Sequence, residues 1–244
     1  MIPVEICIDA SQESSARTAL AAAYTGGADR VEVCASMDVG GTTPPRECIR
    51  LARDVFIDRP GVICMIRPRG GDFFYSPAEV DTMVGDIECA ARNGADGVAL
   101  GALRPAENDL DSEALKTLTE RAHSLGLAVT LHRAFDATSD RTAALETAVE
   151  LGVQRILSSG TAWGDSRGAQ AGLATLKQLC TQARGRLEII AAGGITPNNA
   201  APIAKALQGL GTPLSVHAYS GVCQQGVTVE PLVRAMKKID LSLK

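Results

Sequence analysis

Residues 26–33 read GGADRVEV, residues 93–100 read NGADGVAL and residues 151–158 read LGVQRILS. Each stretch places a glycine just before a short apolar run, a pattern typical of a helix that ends at a left-handed glycine and leads into a buried strand. SLGLAVTL at 124–131 and LQGLGTPLSV at 207–216 repeat the pattern more loosely. The sequence therefore predicts a repeated unit of one strand and one helix.

Several helix starts can be predicted as well. Residues 76–79, SPAE, form a capping box with proline at the first helical position. Thr43 and Thr196 each precede a proline, which repeats the order of capping residue and proline. We therefore expect a helix to begin at each of these three places.

The same reading predicts eight strands, each followed by a helix-like stretch. They lie near residues 3–9, 29–34, 61–67, 96–101, 127–132, 154–159, 187–192 and 214–218. Eight such units in 244 residues match the size of a (β/α)8 barrel, or TIM barrel. A doubly wound open sheet is the alternative, but the first strand is not followed by the Gly-x-Gly-x-x-Gly pattern of that fold. We predict a single (β/α)8 TIM-barrel domain over residues 1–244.

Composition and charge exclude several classes of function. The formal net charge is -4 and the chain has no basic stripe, so we expect no nucleic acid and no anionic membrane as a partner. No apolar stretch approaches the roughly 20 residues that span a bilayer, and the N-terminus has no signal-peptide pattern. The seven cysteines include no Cys-x-x-Cys pair, which favours free thiols in a reducing compartment. We therefore expect a cytoplasmic protein.

Polar residues occur where the mouth of the predicted barrel lies. Functional groups in such barrels gather at the C-terminal ends of the strands, and alternate strand residues share a face. In VEICID, Glu5, Cys7 and Asp9 are therefore expected to point inward, as are Glu32 and Cys34 in RVEVC. The other strand ends carry Arg67, His132, Ser158 or Ser159, Gly193 with Gly194, and His217.

Two inward carboxylates predict a site for general acid/base chemistry. Glu5 and Glu32 lie on neighbouring strands, and MIRPRGGDFFYS at 65–76 brings Arg67, Arg69 and Asp72 to the same mouth. Carboxylates in different surroundings, with arginine and histidine nearby, are typical of acid/base catalysis. The alternative is structural, because buried carboxylates that pair with Arg67 would need no further role.

HRAFD at 132–136 supplies a second polar cluster. It contains His132, Arg133 and Asp136, at the predicted end of the fifth strand. The histidine is a candidate acid or base, and the alternative is a core imidazole whose hydrogen bonds are satisfied within the protein.

An anion site is the third hypothesis. SSG at 158–160 and AGGITPN at 192–198 place small residues before predicted helices, where backbone amides favour an anion. The binding candidates are Ser159, Gly160, Gly193, Gly194 and His217. The alternative is that these turns only bend a strand into a helix. Arginines such as Arg67 and Arg69 would supply bidentate contacts to an anion.

Cys7 and Cys34 are the candidate ligands for a soft metal. They lie near the ends of the first two strands, which are about 5 Å apart in a parallel pair. Thiolates select Cu(I). The alternative is that the barrel places inward residues of adjacent strands in different layers, so that the two sulfurs do not meet.

Six segments occur in an order that resembles the CutC family, long called copper-homeostasis proteins. They are EICID, GGADRVEVC with GGTTP after it, IRPRGGDFFYS, HRAFD, LSSG and AAGGI, and the resemblance runs from Glu5 to about His217. The resemblance implies a (β/α)8 barrel, a cytoplasmic location, a homodimer or larger homo-oligomer, and a link to copper through Cys7 and Cys34. It also carries over, by motif, the polar positions Glu5, Glu32, Arg67, Arg69, Asp72, His132, Arg133 and Asp136. The chain departs from the family at the eighth strand, where SVHAYSGVCQQGVTVEP is compact.

Two functions follow from these residues. The first is a cytoplasmic protein of copper homeostasis that binds Cu(I) through Cys7 and Cys34. The second is an enzyme that acts by general acid/base chemistry on a small anionic substrate, phosphorylated or sugar-like. The second accounts for the charged residues of the mouth, because a two-thiolate site does not require them.

Overall fold

The computed structural model describes residues 2–105 and 108–238. In these residues, eight parallel strands form a closed barrel in which each strand pairs with its neighbours in sequence and the eighth pairs with the first. Strands β1 to β8 are Val4–Asp9, Arg30–Cys34, Val62–Met65, Gly97–Leu100, Ala128–Leu131, Arg155–Ser158, Glu188–Ala191 and Leu214–Ala218. The eight predicted strands and the (β/α)8 fold are confirmed.

Helices surround this barrel. Helices α1 to α9 are Glu13–Gly26, Arg46–Val55, Pro77–Arg92, Ser112–Ser124, Arg141–Glu150, Gly168–Ala171, Leu173–Ala183, Ala200–Leu207 and Glu230–Lys237. Two short antiparallel ribbons lie in loops, one of Leu103–Arg104 with Asp109–Leu110 and one of Cys223–Gln224 with Val227–Thr228. The second ribbon is the compact segment after β8. Within the described ranges, no helix combines the length and the apolar character that a bilayer crossing needs.

The alternation of side chains along the strands separates the core from the barrel interior. On β1, Val4, Ile6 and Ile8 are fully buried in the main core between barrel and helices. Cys7 and Cys34 instead belong to a separate buried cluster inside the barrel. Successive side chains of a strand point to opposite faces. The six residues of β1 therefore supply side chains both to the core and to the barrel interior.

The repeated glycines end helices as predicted. Gly27, Gly94 and Gly152 follow α1, α3 and α5, with φ values of 89°, 87° and 71°. Only glycine adopts this left-handed conformation without a steric penalty, so each helix stops there and the chain turns into the next strand.

One predicted helix start is confirmed and two are wrong. Ser76 accepts from the N–H of Glu79, whose side chain accepts from the N–H of Ser76, as a capping box requires. Helix α2 begins only at Arg46, because the Thr43 hydroxyl donates to Asp86 and accepts from a backbone N–H instead of capping. Helix α8 begins at Ala200, since the turn before it is closed by Asn199, whose side chain accepts from the N–H of Thr196.

Candidate functional site

A cavity of about 250 Å³ lies at the C-terminal mouth of the barrel. Its walls bring together many of the residues that the sequence singled out: Cys7, Glu32, Cys34, Arg67, His132, Arg133, Gly193, Gly194 and His217. Aromatic and apolar side chains complete the walls, among them Met65, Phe73, Leu157, Trp163 and Ile195. Polar groups that converge in a mostly apolar cavity are typical of a ligand site.

Three sulfur atoms meet at one side of this cavity. The Sγ atoms of Cys7 and Cys34 are 3.7 Å apart, and the Sδ of Met37 is 3.7 Å from the Sγ of Cys7. In the register of β1 and β2, Cys7 pairs with Glu32 and Cys34 with Asp9, so the two cysteines are offset along the strands. The layer offset anticipated from the barrel fold therefore does not separate the sulfurs. We call Cys7, Cys34 and Met37 the sulfur cluster.

Met37 was missed by the sequence reasoning. It begins the short 3-10 turn Met37–Val39 after β2, and Ser36 before it adopts a left-handed φ of 50°. A non-glycine residue in this conformation is uncommon, and it turns the chain back over the barrel mouth. The Cys-x-x-Met spacing of Cys34 and Met37 was the signal that could have found it.

Glu32 adjoins the sulfur cluster. Ligand atoms of Cys7, Glu32 and Cys34 all lie within 4.8 Å of one another, which is close enough to hold one metal ion. The Cys34 thiol donates to Oε2 of Glu32 at 3.5 Å, while Oε1 of Glu32 is buried without a hydrogen-bond partner. A buried carboxylate oxygen without a donor carries a penalty, and a ligand in the cavity would remove it.

Glu5 lies beneath the cavity in a line of charges. Its Oε2 accepts from Nε of Arg30 at 2.9 Å and its Oε1 accepts from Nδ1 of His217 at 2.8 Å. Arg30 also donates to Glu188, and Nε2 of His217 lies 3.8 Å from Oε2 of Glu32. The structural alternative from the sequence, in which Arg67 pairs with the two glutamates, is wrong because Arg30 and His217 occupy Glu5.

This line of charges shifts the pKa values of the groups around it. Burial raises the pKa of Glu5, but the hydrogen bond from His217 and the charge of Arg30 outweigh burial and lower it to about 2. Burial opposes charge on His217, yet Cys7, Glu5 and Glu32 hold its pKa well above the usual range. The hydrogen bond with Cys34 and the nearby His217 lower the pKa of Cys7 to about 6 despite burial. The pKa of Cys34 is raised well above its usual range, first by the hydrogen bond with Cys7 and then by burial.

Glu32 contrasts with Glu5. Burial raises the pKa of the Glu32 carboxyl to about 8, and the neighbouring Cys7 and Glu5 add to the effect. The two carboxyls of the barrel interior therefore differ in charge at neutral pH, as the acid/base hypothesis required.

His132 is a neutral imidazole with one free donor. Burial and the charge of Arg67 lower the pKa of His132 to about 3. Its Nδ1 accepts from the N–H of Ala134 at 3.1 Å, so the proton is on Nε2, which is buried without a partner. The alternative of a satisfied core imidazole is wrong for this reason.

Asp136, Ser159 and Gly160 serve the structure of the mouth. Asp136 is fully buried and accepts from Ser158, from Ser159 and from Nε of Arg133. The N–H of Ser159 is thereby taken, and the N–H of Gly160 donates to the Ser158 hydroxyl. The anion site predicted at Ser159 and Gly160 is therefore contradicted, since neither N–H is free. Gly193 and Gly194 do line the cavity.

Arg69 and Asp72 are also absent from the cavity walls. Arg69 donates to Glu79, to Asp72 and to the carbonyl of Phe74, which closes the loop after β3 onto the start of α3. Both side chains are satisfied and exposed or half-exposed. The loop MIRPRGGDFFYS thus contributes Arg67 and Phe73 to the cavity, but not its second arginine or its aspartate.

The fold and the site define a (β/α)8-barrel protein with a ligand cavity at the C-terminal ends of its strands. The model of the CutC family matches residues 2–218, so the chain belongs to the CutC family. It is 48% identical over 183 residues to a CutC family protein of Bacteroides thetaiotaomicron, covering 75% of this chain and 70% of that protein. It is 43% identical over 196 residues to the human copper homeostasis protein cutC homolog, covering 80% of this chain and 66% of that protein. The crystal structure of CutC from Streptococcus agalactiae superposes with a TM-score of 0.76 at 31% identity, over 89% of this chain and 98% of that one.

Proposed function

We propose that this protein binds Cu(I) through the sulfur cluster and buffers or delivers copper in the cytoplasm. The observation that carries the proposal is the meeting of three sulfurs, with Cys7 within 3.7 Å of both Cys34 and Met37. Thiolate and thioether sulfur select Cu(I) over the harder divalent ions, which prefer oxygen and nitrogen. The names of the relatives from human and from Streptococcus agalactiae, which refer to copper homeostasis, support the same reading.

The charges around the cluster suit deprotonated thiols. A metal binds the thiolate and not the thiol, and the pKa of Cys7, lowered to about 6 by Cys34 and His217, leaves that sulfur charged at neutral pH. Cys34 must lose its proton when it binds. Its thiol donates to Oε2 of Glu32 at 3.5 Å before the metal binds.

Anaerobic Cu(I) titration against a chromogenic competitor tests the proposal. We expect one copper per chain, with affinity reduced at least about tenfold by Cys7→Ser or Cys34→Ser because a hydroxyl is a poor ligand for a soft ion. Cys180→Ser is the matched control, since Cys180 is a buried thiol of α7 in the main core. Binding that is unchanged in both cluster variants, or lost equally in the control, would refute the sulfur cluster as the site.

The unpaired polar atoms favour a second candidate function. Glu32 and His132 line the same cavity, and Oε1 of the first and Nε2 of the second are buried without partners, although copper binding to the sulfurs requires neither. We propose acid/base catalysis on a small anionic molecule, in which Glu32 moves a proton and the neutral His132 donates a hydrogen bond to developing negative charge. Glu32→Gln and His132→Ala would each lower turnover of an identified substrate by about 100-fold or more. Turnover that is unchanged in both variants would eliminate this candidate.

A further inference from the structure

Arg67 is a buried cation that no carboxylate neutralises. The side chain is 1% exposed, and it donates through Nη1 to the carbonyls of Val39 and Gly41 and through Nη2 to the carbonyl of Gly71. Among the residues in 2–105 and 108–238, no carboxylate lies within ion-pair distance of its guanidinium, and Nε has no partner. Buried charges persist when they are paired with an opposite charge. The described part of the protein supplies no such partner to the Arg67 guanidinium.

Aromatic rings compensate part of that charge. The guanidinium carbon lies 4.8 Å from the ring centre of Phe73 and 5.9 Å from that of Trp163. Such contacts are weaker than a charge-assisted hydrogen bond to an anion. The rings therefore form a wall beside the cation and leave its buried Nε–H without an acceptor among the described residues.

His132 supplies a second free donor to the same cavity. It is 3% exposed and its ring lies 5.2 Å from that of Phe73. Gly101 makes room for it, because a Cβ at that position would lie 2.7 Å from the imidazole. Two N–H donors, one positively charged and one neutral, are thus buried in one cavity wall without acceptors. We call Arg67 Nε–H and His132 Nε2–H the donor pair.

We propose that the donor pair binds the carboxylate of a small organic acid in the barrel cavity. A carboxylate carries one negative charge and two oxygens, which matches one buried positive charge and two single N–H donors. A phosphate carries more charge and a third strong acceptor, for which the donor pair has no counterpart. The cavity of about 250 Å³ lies just below the size of pockets for drug-sized ligands, so the acid is small.

This site deepens the second candidate function by naming its substrate class, and it rests on that candidate only for turnover of the bound acid. Binding of the carboxylate stands independently of both catalysis and copper. Glu32 and the sulfur cluster lie in the same cavity and are free to contact the rest of the ligand.

Trp163 provides the test, because it is the only tryptophan of the sequence and lines the cavity. The full-length protein is kept reduced and metal-free with chelator, and its tryptophan fluorescence is titrated with lactate, pyruvate, succinate and benzoate, with lactamide, pyruvamide, succinamide and benzamide, and with inorganic phosphate. We expect saturable binding of at least one acid and about tenfold or weaker binding of its amide, which lacks the charge. Saturation by phosphate alone, equal binding of acid and amide, or no response to any probe up to 10 mM (roughly the weak limit of specific binding) would overturn the proposal.

Variants assign the binding to the donor pair. Arg67→Met and His132→Phe each weaken acid binding about tenfold or more, whereas His132→Gln, which keeps an N–H donor, restores part of it. Arg46→Met is the matched control, because Arg46 is an exposed arginine that pairs with Glu47 and is absent from the cavity walls, so binding is then unchanged. If Arg67→Met does not fold, the two His132 variants and the acid–amide comparison on the unaltered protein still show whether the donor pair binds the carboxylate. Acid binding that is undiminished in His132→Phe would contradict the assignment.

Discussion

At the residue scale, the surroundings of His132 determine its protonation state. Burial and the charge of Arg67 both oppose a second proton, while Ala134 fixes the tautomer through its N–H. A histidine held neutral at physiological pH acts as a hydrogen-bond donor of fixed direction and not as a charged group. The same features make the stability of the protein depend on pH.

We predict that His132 destabilises the fold as pH falls below 6.5. The unfolded chain binds a proton at this imidazole near its ordinary pKa of about 6.5, whereas the folded protein, with the pKa lowered to about 3, does not. Proton binding to the unfolded state therefore lowers the free energy of unfolding by about 2 kcal/mol between pH 7 and pH 5. Urea denaturation of the parent and of His132→Gln at both pH values measures the difference in slope. Equal pH dependence of the two proteins would contradict a neutral, buried His132.

Sequence alone predicted which residues point into the barrel, but not all of their partners. Alternation along β1 and β2 was enough to place Cys7, Glu32 and Cys34 inside, because a strand has only two faces. Arg30 and Met37 were missed since their roles depend on contacts across the barrel and on a strained turn that no local pattern specifies. Arg69 shows the opposite error. It was predicted to lie in the site because it is close to Arg67 in sequence, but its side chain bonds to Glu79 and Asp72 at the surface.

At the element scale, the junctions between strands and loops hold the site residues in place. Residue Gly101 follows β4 directly, and a side chain there would collide with the His132 ring and with Cβ of Ala134 at 2.8 Å. Gly85 lies on the exposed face of α3, and a methyl group at that position would have no neighbour within 4 Å. An added methyl group would therefore clash with neighbouring atoms at Gly101 but not at Gly85.

We predict opposite effects of the same substitution at these two glycines. Gly101→Ala would lower the free energy of unfolding by about 1–3 kcal/mol through overpacking, and it would displace His132 and weaken acid binding. Gly85→Ala would raise the free energy of unfolding by about 0.5–1 kcal/mol, because alanine favours the helix and meets no neighbour. Thermal and urea denaturation of both variants measure these changes. A tolerated Gly101→Ala with normal acid binding would show that the close approach does not position His132.

The helices were predicted less accurately than the strands. Gly27, Gly94 and Gly152 end the helices that precede β2, β4 and β6, and this signal is local. The predicted helix start failed at Thr43 because its hydroxyl has a distant partner, Asp86, which the sequence does not reveal. It failed at Thr196 because Asn199 closes a separate turn before the helix by accepting from the N–H of Thr196. The cap at Ser76 was predicted correctly because both halves of its capping box, Ser76 and Glu79, lie within one turn.

At the scale of the whole molecule, closure of the barrel creates the site. Strand β8 pairs with β1 and places His217 beside Glu5, although 212 residues separate them in the chain. The same closure brings the loops after β2, β3, β5 and β7 around one cavity. The extent of a single domain and the assembly of a homodimer or larger oligomer stay predictions, which one cooperative unfolding transition and sedimentation velocity would test.

The most direct test of the central claim is copper K-edge X-ray absorption of the one-to-one Cu(I) complex. If the sulfur cluster holds the ion, the nearest neighbours of copper are sulfur atoms, and Met37→Leu removes one sulfur while Cys7 and Cys34 retain the metal. A nearest-neighbour shell made only of nitrogen and oxygen would place copper elsewhere and contradict the account.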